Sequence, residues 1–367
     1  MATGPCSIIA ILSRSKFSCF FCSLFLLLSL CVEAATAYKL HSFKAPPLSL
    51  PHRLPRQLST TSEQSDRGSS VLKPWEIMGV GDLEGPETVI YNSKSRLIYT
   101  GCGDGWIKRV TLNESTADSV IEDWVNTGGR PLGLAFGHHG EVIVADPKKG
   151  LLNISRSGQV KVLMNETKLL DSVAMAKNGM VYFTEASYKY GLNDFMLDLM
   201  EGEPHGRLWS YNPSTKESKV LVRNLFFSNG LAVSPDQNFV VFCETLKKRC
   251  RKFYIEGKKK GRVNRFVDLP GLPDNIHYDE SDGHYWISLA VTLGNSSKAG
   301  VVVVDKDGNA TANYFGTEMS LISSSVRVGN YLFCGSFFNP YLIRLNLQEY
   351  HSFFTFLSPS NIFDHHP

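Results

Sequence analysis

The chain has 367 residues, with 38 Lys and Arg against 35 Asp and Glu and a formal net charge of +3. So small an imbalance argues against a nucleic-acid binder, which would show a strong basic bias concentrated on one face. The 43% hydrophobic content supplies core for one large domain or two ordinary ones. Thirty Gly, 22 Phe and 14 Tyr tilt the composition toward strands joined by tight turns.

In chain order, Lys16 precedes the apolar run Phe17 to Val32, and Glu33-Ala34-Ala35-Thr36-Ala37 follows. A positive flank, an apolar stretch and an A-x-A site predict a secretory signal peptide over 1–37, cleaved after Ala37. The run falls short of the ~18–20 apolar residues of a spanning helix, so no stable membrane span is expected after cleavage. Cys6, Cys19, Cys22 and Cys31 go with the leader, leaving Cys102, Cys243, Cys250 and Cys334. In an oxidising compartment Cys243 and Cys250 are spaced for a disulfide across a hairpin connection. Five N-x-S/T sequons, at Asn113, Asn153, Asn165, Asn295 and Asn309, agree with a glycosylated product of the endoplasmic reticulum. Vacuole and cell exterior both remain open as its destination.

Residues 38–70 are rich in Pro, Ser, His and Arg and read as an extended N-terminal arm, and 356–367 as a C-terminal tail. Between them, over 71–355, six units recur, each a polar turn followed by a short β-branched and aromatic run. The runs centre near Tyr99, Val142, Tyr182, Val240, Tyr285 and Leu332. Intervals of roughly 40 to 60 residues match four-stranded propeller blades. The prediction is an all-β, six-bladed β-propeller. Leu192 to Pro204 is the best helical stretch and is expected as a short helical insertion in the third blade. A pair of β-sandwiches would not repeat six runs of such similar form, and no Trp-Asp dipeptide marks WD repeats.

No G-x-S-x-G, H-E-x-x-H or phosphate-loop motif occurs. The basic runs at 247–249 and 258–260 read as solvated hairpin turns, and Asp364-His365-His366 as a frayed end. What remains is a set of oxygen-bearing residues at the starts of blades: Glu84 and Glu87, Asp171, Asn229, and Asp274 with Asn275. Converging at a propeller axis they suit a hard cation such as Ca²⁺, which takes six to eight oxygens. Asn-Gly and Pro-Asp-Asn are equally ordinary turn chemistry.

The segments MVYFTEASYKY, LMEGEPHGRLWSY, SNGLAVSPDQNFVVFCET and LPGLPDNIHYDESDGHYWISL stand in this order. Together they resemble the plant strictosidine synthase-like family over about Gly79 to Leu347, and more distantly the paraoxonase and gluconolactonase propellers. The resemblance implies a six-bladed propeller. It also implies metal ligands at Asn229, Asp274 and Asn275, with counterparts at Asp171 and at Glu84 or Glu87. The hydrolytic His of the paraoxonases falls at Leu132 and its helper at Asp146, so an imidazole base is missing. Strictosidine synthase condenses tryptamine with secologanin using a glutamate, and the matching position here is Ser323. A hydroxyl cannot stand in for a carboxylate as general base. The stretch between Ala290 and Gly300 is also shorter than the insertion that roofs the channel in family members.

Three functions follow as expectations. One is metal-assisted hydrolysis of small lactones or esters, with Asp171 or Asp274 activating water. A second is non-catalytic binding of a small molecule in the propeller channel, and a third is amine–aldehyde condensation of the synthase type.

Overall fold

The computed structural model describes residues 75–353 apart from 294–295, 317–318 and 320. The leader, the arm, the tail, the domain boundaries at 71 and 355 and the sequon at Asn295 lie outside the described residues. Alternation of apolar and polar residues makes each turn-and-run unit an antiparallel meander. β1 (Trp75–Met78) is followed by β2 (Val89–Asn92), β3 (Leu97–Gly101), β4 (Trp106–Thr111) and β5 (Ile121–Asn126), of which the last four form the first sheet. β6 (Gly133–Phe136), β7 (Val142–Asp146), β8 (Gly150–Ile154) and β9 (Val160–Met164) form the second. β10 (Leu169–Met175), β11 (Val181–Ser187), β12 (Gly206–Asn212) and β13 (Glu217–Leu225) form the third. β14 (Ser228–Val233), β15 (Phe239–Glu244), β16 (Arg249–Tyr254) and β17 (Val263–Asp268) form the fourth. β18 (Leu272–Asp279), β19 (His284–Leu293), β20 (Ser296–Val304) and β21 (Ala310–Gly316) form the fifth.

The sixth sheet closes the ring. β22 (Ile322–Val328), β23 (Tyr331–Ser336) and β24 (Leu342–Asn346) are completed by β1, which pairs antiparallel to β24 with Trp75 opposite Leu345 and Met78 opposite Leu342. The chain is a six-bladed β-propeller, and each run read from the sequence is the second strand of a blade. Radial closure protects the sheet edges. Among the described residues the inserted α-helix, α1 (Phe195–Glu201), joins β11 to β12 within the third sheet, and a second, α2 (Leu347–Phe353), follows β24.

The core is a series of layers between neighbouring sheets. Between the fourth and fifth, Val241, Phe266, Ile276, Tyr285 and Ile287 pack together; between the fifth and sixth, Trp286, Val301, Leu332 and Ile343 do so. Each such side chain contributes roughly 1.5–3 kcal/mol on burial. Cys243 and Cys250 face each other across β15 and β16 and are disulfide-bonded. Cys102 and Cys334 are buried free thiols, and burial pushes both up to about 12, far from the thiolate range. Asn113, Asn165 and Asn309 are exposed, whereas Asn153 is half-buried in the third strand of its sheet. Among the described residues no helix is long and apolar enough to cross a membrane.

β2, β6, β10, β14, β18 and β22 are the innermost strands and pack against one another around the axis. Glycine makes that approach possible at two points. A Cβ on Gly133 would lie 2.5 Å from the Asp171 carbonyl oxygen, and one on Gly230 would lie 2.4 Å from that of Asp274.

Candidate functional site

The innermost strands are irregular where their oxygen-bearing residues sit. Pairing slips between Leu170 and Val173 in β10, between Ser228 and Leu231 in β14, between Pro273 and Ile276 in β18, and between Ile322 and Ser324 in β22. Asp171, Asn229, Asp274, Asn275 and Ser323 all fall inside these irregularities. A bulge re-aims side chains out of strict alternation, and here it serves the axis. Glu87, two residues before β2, joins from the first sheet.

A cavity of about 90 Å³ lies there, lined by Glu87, Asp171, Asn229 and Asp274 together with Leu132, Phe195 and other apolar groups. Glu87, Asp171, Asn229 and Asn275 are buried, and half-buried Asp274 lines the cavity. Asn275 Nδ2 donates to Glu87 Oε1 at 2.7 Å, and the Asn229 amide hydrogen-bonds the Asp274 carboxyl. Glu87 Oε2 and Asn229 Oδ1 are buried without any hydrogen-bond partner. Such orphans are rare in folded proteins because each costs the full desolvation of the group.

The electrostatics agree. Burial, reinforced by the charges of Asp274 and Asp171, holds the Glu87 carboxyl well above the usual range, against the opposing pull of Arg130 and Asn275. Burial and then Asp171 raise Asp274 in the same way, and burial pushes Asp171 up to about 7. Three carboxyls that resist ionisation and two unpaired oxygens constitute a site short of positive charge. The donor chemistry fits a hard cation. Among the described residues no three His, Cys, Asp or Glu side chains group tightly enough to hold a metal by themselves. The amides of Asn229 and Asn275 would therefore matter as much as the carboxylates.

Glu84 is not part of this group, which corrects the expectation that kept both glutamates. It is exposed in the turn before β2, where its carbonyl accepts from Gly103 N. The turn at Gly85 and Pro86 separates it from Glu87, which alone is buried at the axis. Ser323 lies beside the centre, but its hydroxyl donates to the Glu87 carbonyl at 2.7 Å, as that of Ser324 also does. Asp146 is a turn anchor: it accepts from Thr127 Oγ1 at 2.8 Å and from the backbone N–H groups of Arg130 and Lys148.

The roof escaped sequence reasoning. Leu192, Phe195 and Leu199 come from the β11–β12 insertion and Phe337 and Phe338 from the loop after β23. Phe195 and Phe337 meet at 5.7 Å between ring centroids. The short β19–β20 connection thus leaves the cavity covered, by a different segment. Arg130 was also unsuspected. It is 4% exposed, donates to the Gly85 carbonyl at 2.8 Å and the Phe337 carbonyl at 3.3 Å, and lies 4.7 Å from the Phe337 ring centroid.

Fold and site together define a six-bladed propeller with a buried oxygen-donor centre under an apolar roof. The strictosidine synthase family profile matches residues 171–258. Protein STRICTOSIDINE SYNTHASE-LIKE 6 of Arabidopsis thaliana is 49% identical over 309 residues, 75% of this chain and 82% of the relative. STRICTOSIDINE SYNTHASE-LIKE 4 of the same plant is 44% identical over 368 residues, covering 90% and 98%. The chain belongs to the strictosidine synthase-like family. An adipocyte plasma membrane-associated protein of Gallus gallus is 30% identical, covering 84% of this chain and 83% of its own. Among solved structures, a gluconolactonase from Xanthomonas campestris shares the fold at a TM-score of 0.57 and 17% identity, covering 73% of this chain and 88% of its own. Regucalcin from Agrobacterium tumefaciens, a calcium-binding protein, does so at 0.53 and 15%, covering 75% and 92%.

Proposed function

We propose that the protein is a metal-assisted hydrolase of small lactones or esters that works in the secretory pathway as a glycoprotein, with Ca²⁺ at the axial centre. The observation that carries the reading is the pair of orphaned oxygens, Glu87 Oε2 and Asn229 Oδ1, among three carboxyls whose ionisation burial opposes. Glu87, Asp171, Asn229, Asp274 and Asn275 would hold the ion. When bound it supplies Lewis-acid polarisation of a carbonyl and stabilisation of the developing oxyanion. The apolar roof excludes water from the substrate's non-reacting part and orients its carbonyl toward the carboxyl floor. Asp171 or Asp274 takes the proton of the attacking water, in place of the imidazole that Leu132 does not provide.

The occupied hydroxyl of Ser323 weighs against amine–aldehyde condensation, because it neither carries a labile proton near neutral pH nor faces a free partner. The competing reading is a non-catalytic small-molecule binder, favoured by the absence of any His among the described residues lining the cavity. The deciding experiment is a lactone and ester panel with and without chelator, on the wild type and Asn229→Ala. Hydrolysis lost in both supports the proposal. Chelator-insensitive turnover overturns it, and no turnover alongside ligand-induced stabilisation favours the binder.

A further inference from the structure

At the ends of β2 and β6 away from the carboxyl centre, a groove of about 450 Å³ opens between the first and second sheets. Its floor is aromatic. Tyr99 meets both Trp124 and Phe136 edge-on at 5.3 Å, and half-buried Tyr91 extends the surface. Its rim is basic, carrying Lys94, Arg109, Arg156 and His138, and no Asp or Glu among the described residues lines it.

The cations differ in what they already hold. Arg109 is spent: its guanidinium pairs with both oxygens of Glu122 and lies 5.6 Å from the Trp124 ring centroid. His138 Nε2 donates to the Ala176 carbonyl at 3.0 Å. By contrast, neither the Lys94 ammonium nor the Arg156 guanidinium has an ion-pair or hydrogen-bond partner among the described residues. Arg156 packs on the backbone of Gly140, so close that a Cβ there would lie 2.2 Å from its Nε. Glu141, the acid beside the groove's end, is engaged through Oε2 by the backbone N–H of His139 at 2.8 Å. Two unneutralised cations thus stand over an aromatic floor, in a groove within the roughly 300–1,000 Å³ span of small-molecule sites.

We propose that this groove is a second binding site, taking a small organic anion whose flat apolar body lies on Tyr91, Tyr99 and Phe136 and whose carboxylate, sulfate or phosphate is held by Lys94 and Arg156. Charge-assisted hydrogen bonds from a guanidinium suit such a planar anion. The aromatic floor adds apolar area at small entropic cost.

The test is calorimetric titration of the secreted chain, in chelator, with 1-naphthoate and its neutral isostere 1-naphthamide. Naphthoate should bind, the amide should bind far more weakly, and added salt should weaken the acid. Replacing both exposed cations, Lys94→Ala with Arg156→Ala, should raise the naphthoate Kd about tenfold or more, the loss of one charge-assisted contact or better. Asp274→Asn should leave it unchanged, which separates this site from the axial one whatever becomes of the hydrolase reading. Equal affinity for acid and amide overturns the proposal. So does binding that survives the double variant, binding abolished by Asp274→Asn, or no heat at millimolar naphthoate.

Discussion

Asp171→Asn should stabilise the metal-free protein, and by an amount that grows with pH. Its carboxyl is buried, and its pKa lies at about 7 rather than the ordinary 3.8. A raised carboxyl pKa means that the native state binds the proton more tightly than the unfolded chain. Stability linked to this group is therefore fully present below about pH 4 and is lost as pH rises through about 7. Three pKa units at about 1.4 kcal/mol each make the ionised side chain cost the native state about 4 kcal/mol at pH 8, against about 2 kcal/mol at pH 5. Asparagine has nearly the same shape and no proton to lose. In chelator, the melting temperature of the variant should exceed the wild type's by several degrees at pH 8 and by clearly less at pH 5. Calcium in hundredfold excess over its Kd should add roughly 2.7 kcal/mol to the wild type, cutting the advantage of the variant at pH 8 to about 1 kcal/mol and reversing it at pH 5. Scanning calorimetry across pH 5 to 8 reads both effects. A variant that melts with or below the wild type at pH 8 in chelator would refute the claim that Asp171 is buried among uncompensated carboxyls.

Gly230→Ala should cost about 1–3 kcal/mol by overpacking, because the new methyl meets the backbone of Asp274 and Asn275; denaturant melts read the loss, and calcium-dependent stabilisation should weaken with it. Arg130→Met leaves buried carbonyls at Gly85 and Phe337 without their donor, so about 3 kcal/mol should be lost. With the nearby cation gone, Glu87 should also titrate still higher, which its carboxyl NMR resonance would report. Replacing Cys243 and Cys250 together by Ala removes a crosslink between residues only seven apart in sequence. The short loop limits the loss to about 2–3 kcal/mol on the chain-entropy account, and equal stability of reduced and oxidised wild type would contradict it.

Much of the architecture was legible locally. A strand followed by a polar turn reports its own periodicity, so six such runs announced six blades, and Leu192 to Pro204 announced the helix in the third. Cys243 and Cys250 likewise read as a pair across one hairpin. These are short-range properties, written in residues a few positions apart. The centre was legible only as types of residue at the starts of blades. Whether Glu84 or Glu87 reaches the axis depends on a turn at Gly85 and Pro86, and the aim of Asp171, Asn229 and Asp274 depends on bulges that alternation does not encode. Their perturbed ionisation exists only because four sheets bring them together away from water. The roof of Phe195 and Phe337, the carbonyl cage of Arg130 and the basic aromatic groove have the same origin. Each joins residues from different sheets, and their energies come from burial and proximity, which the chain acquires only when the ring closes.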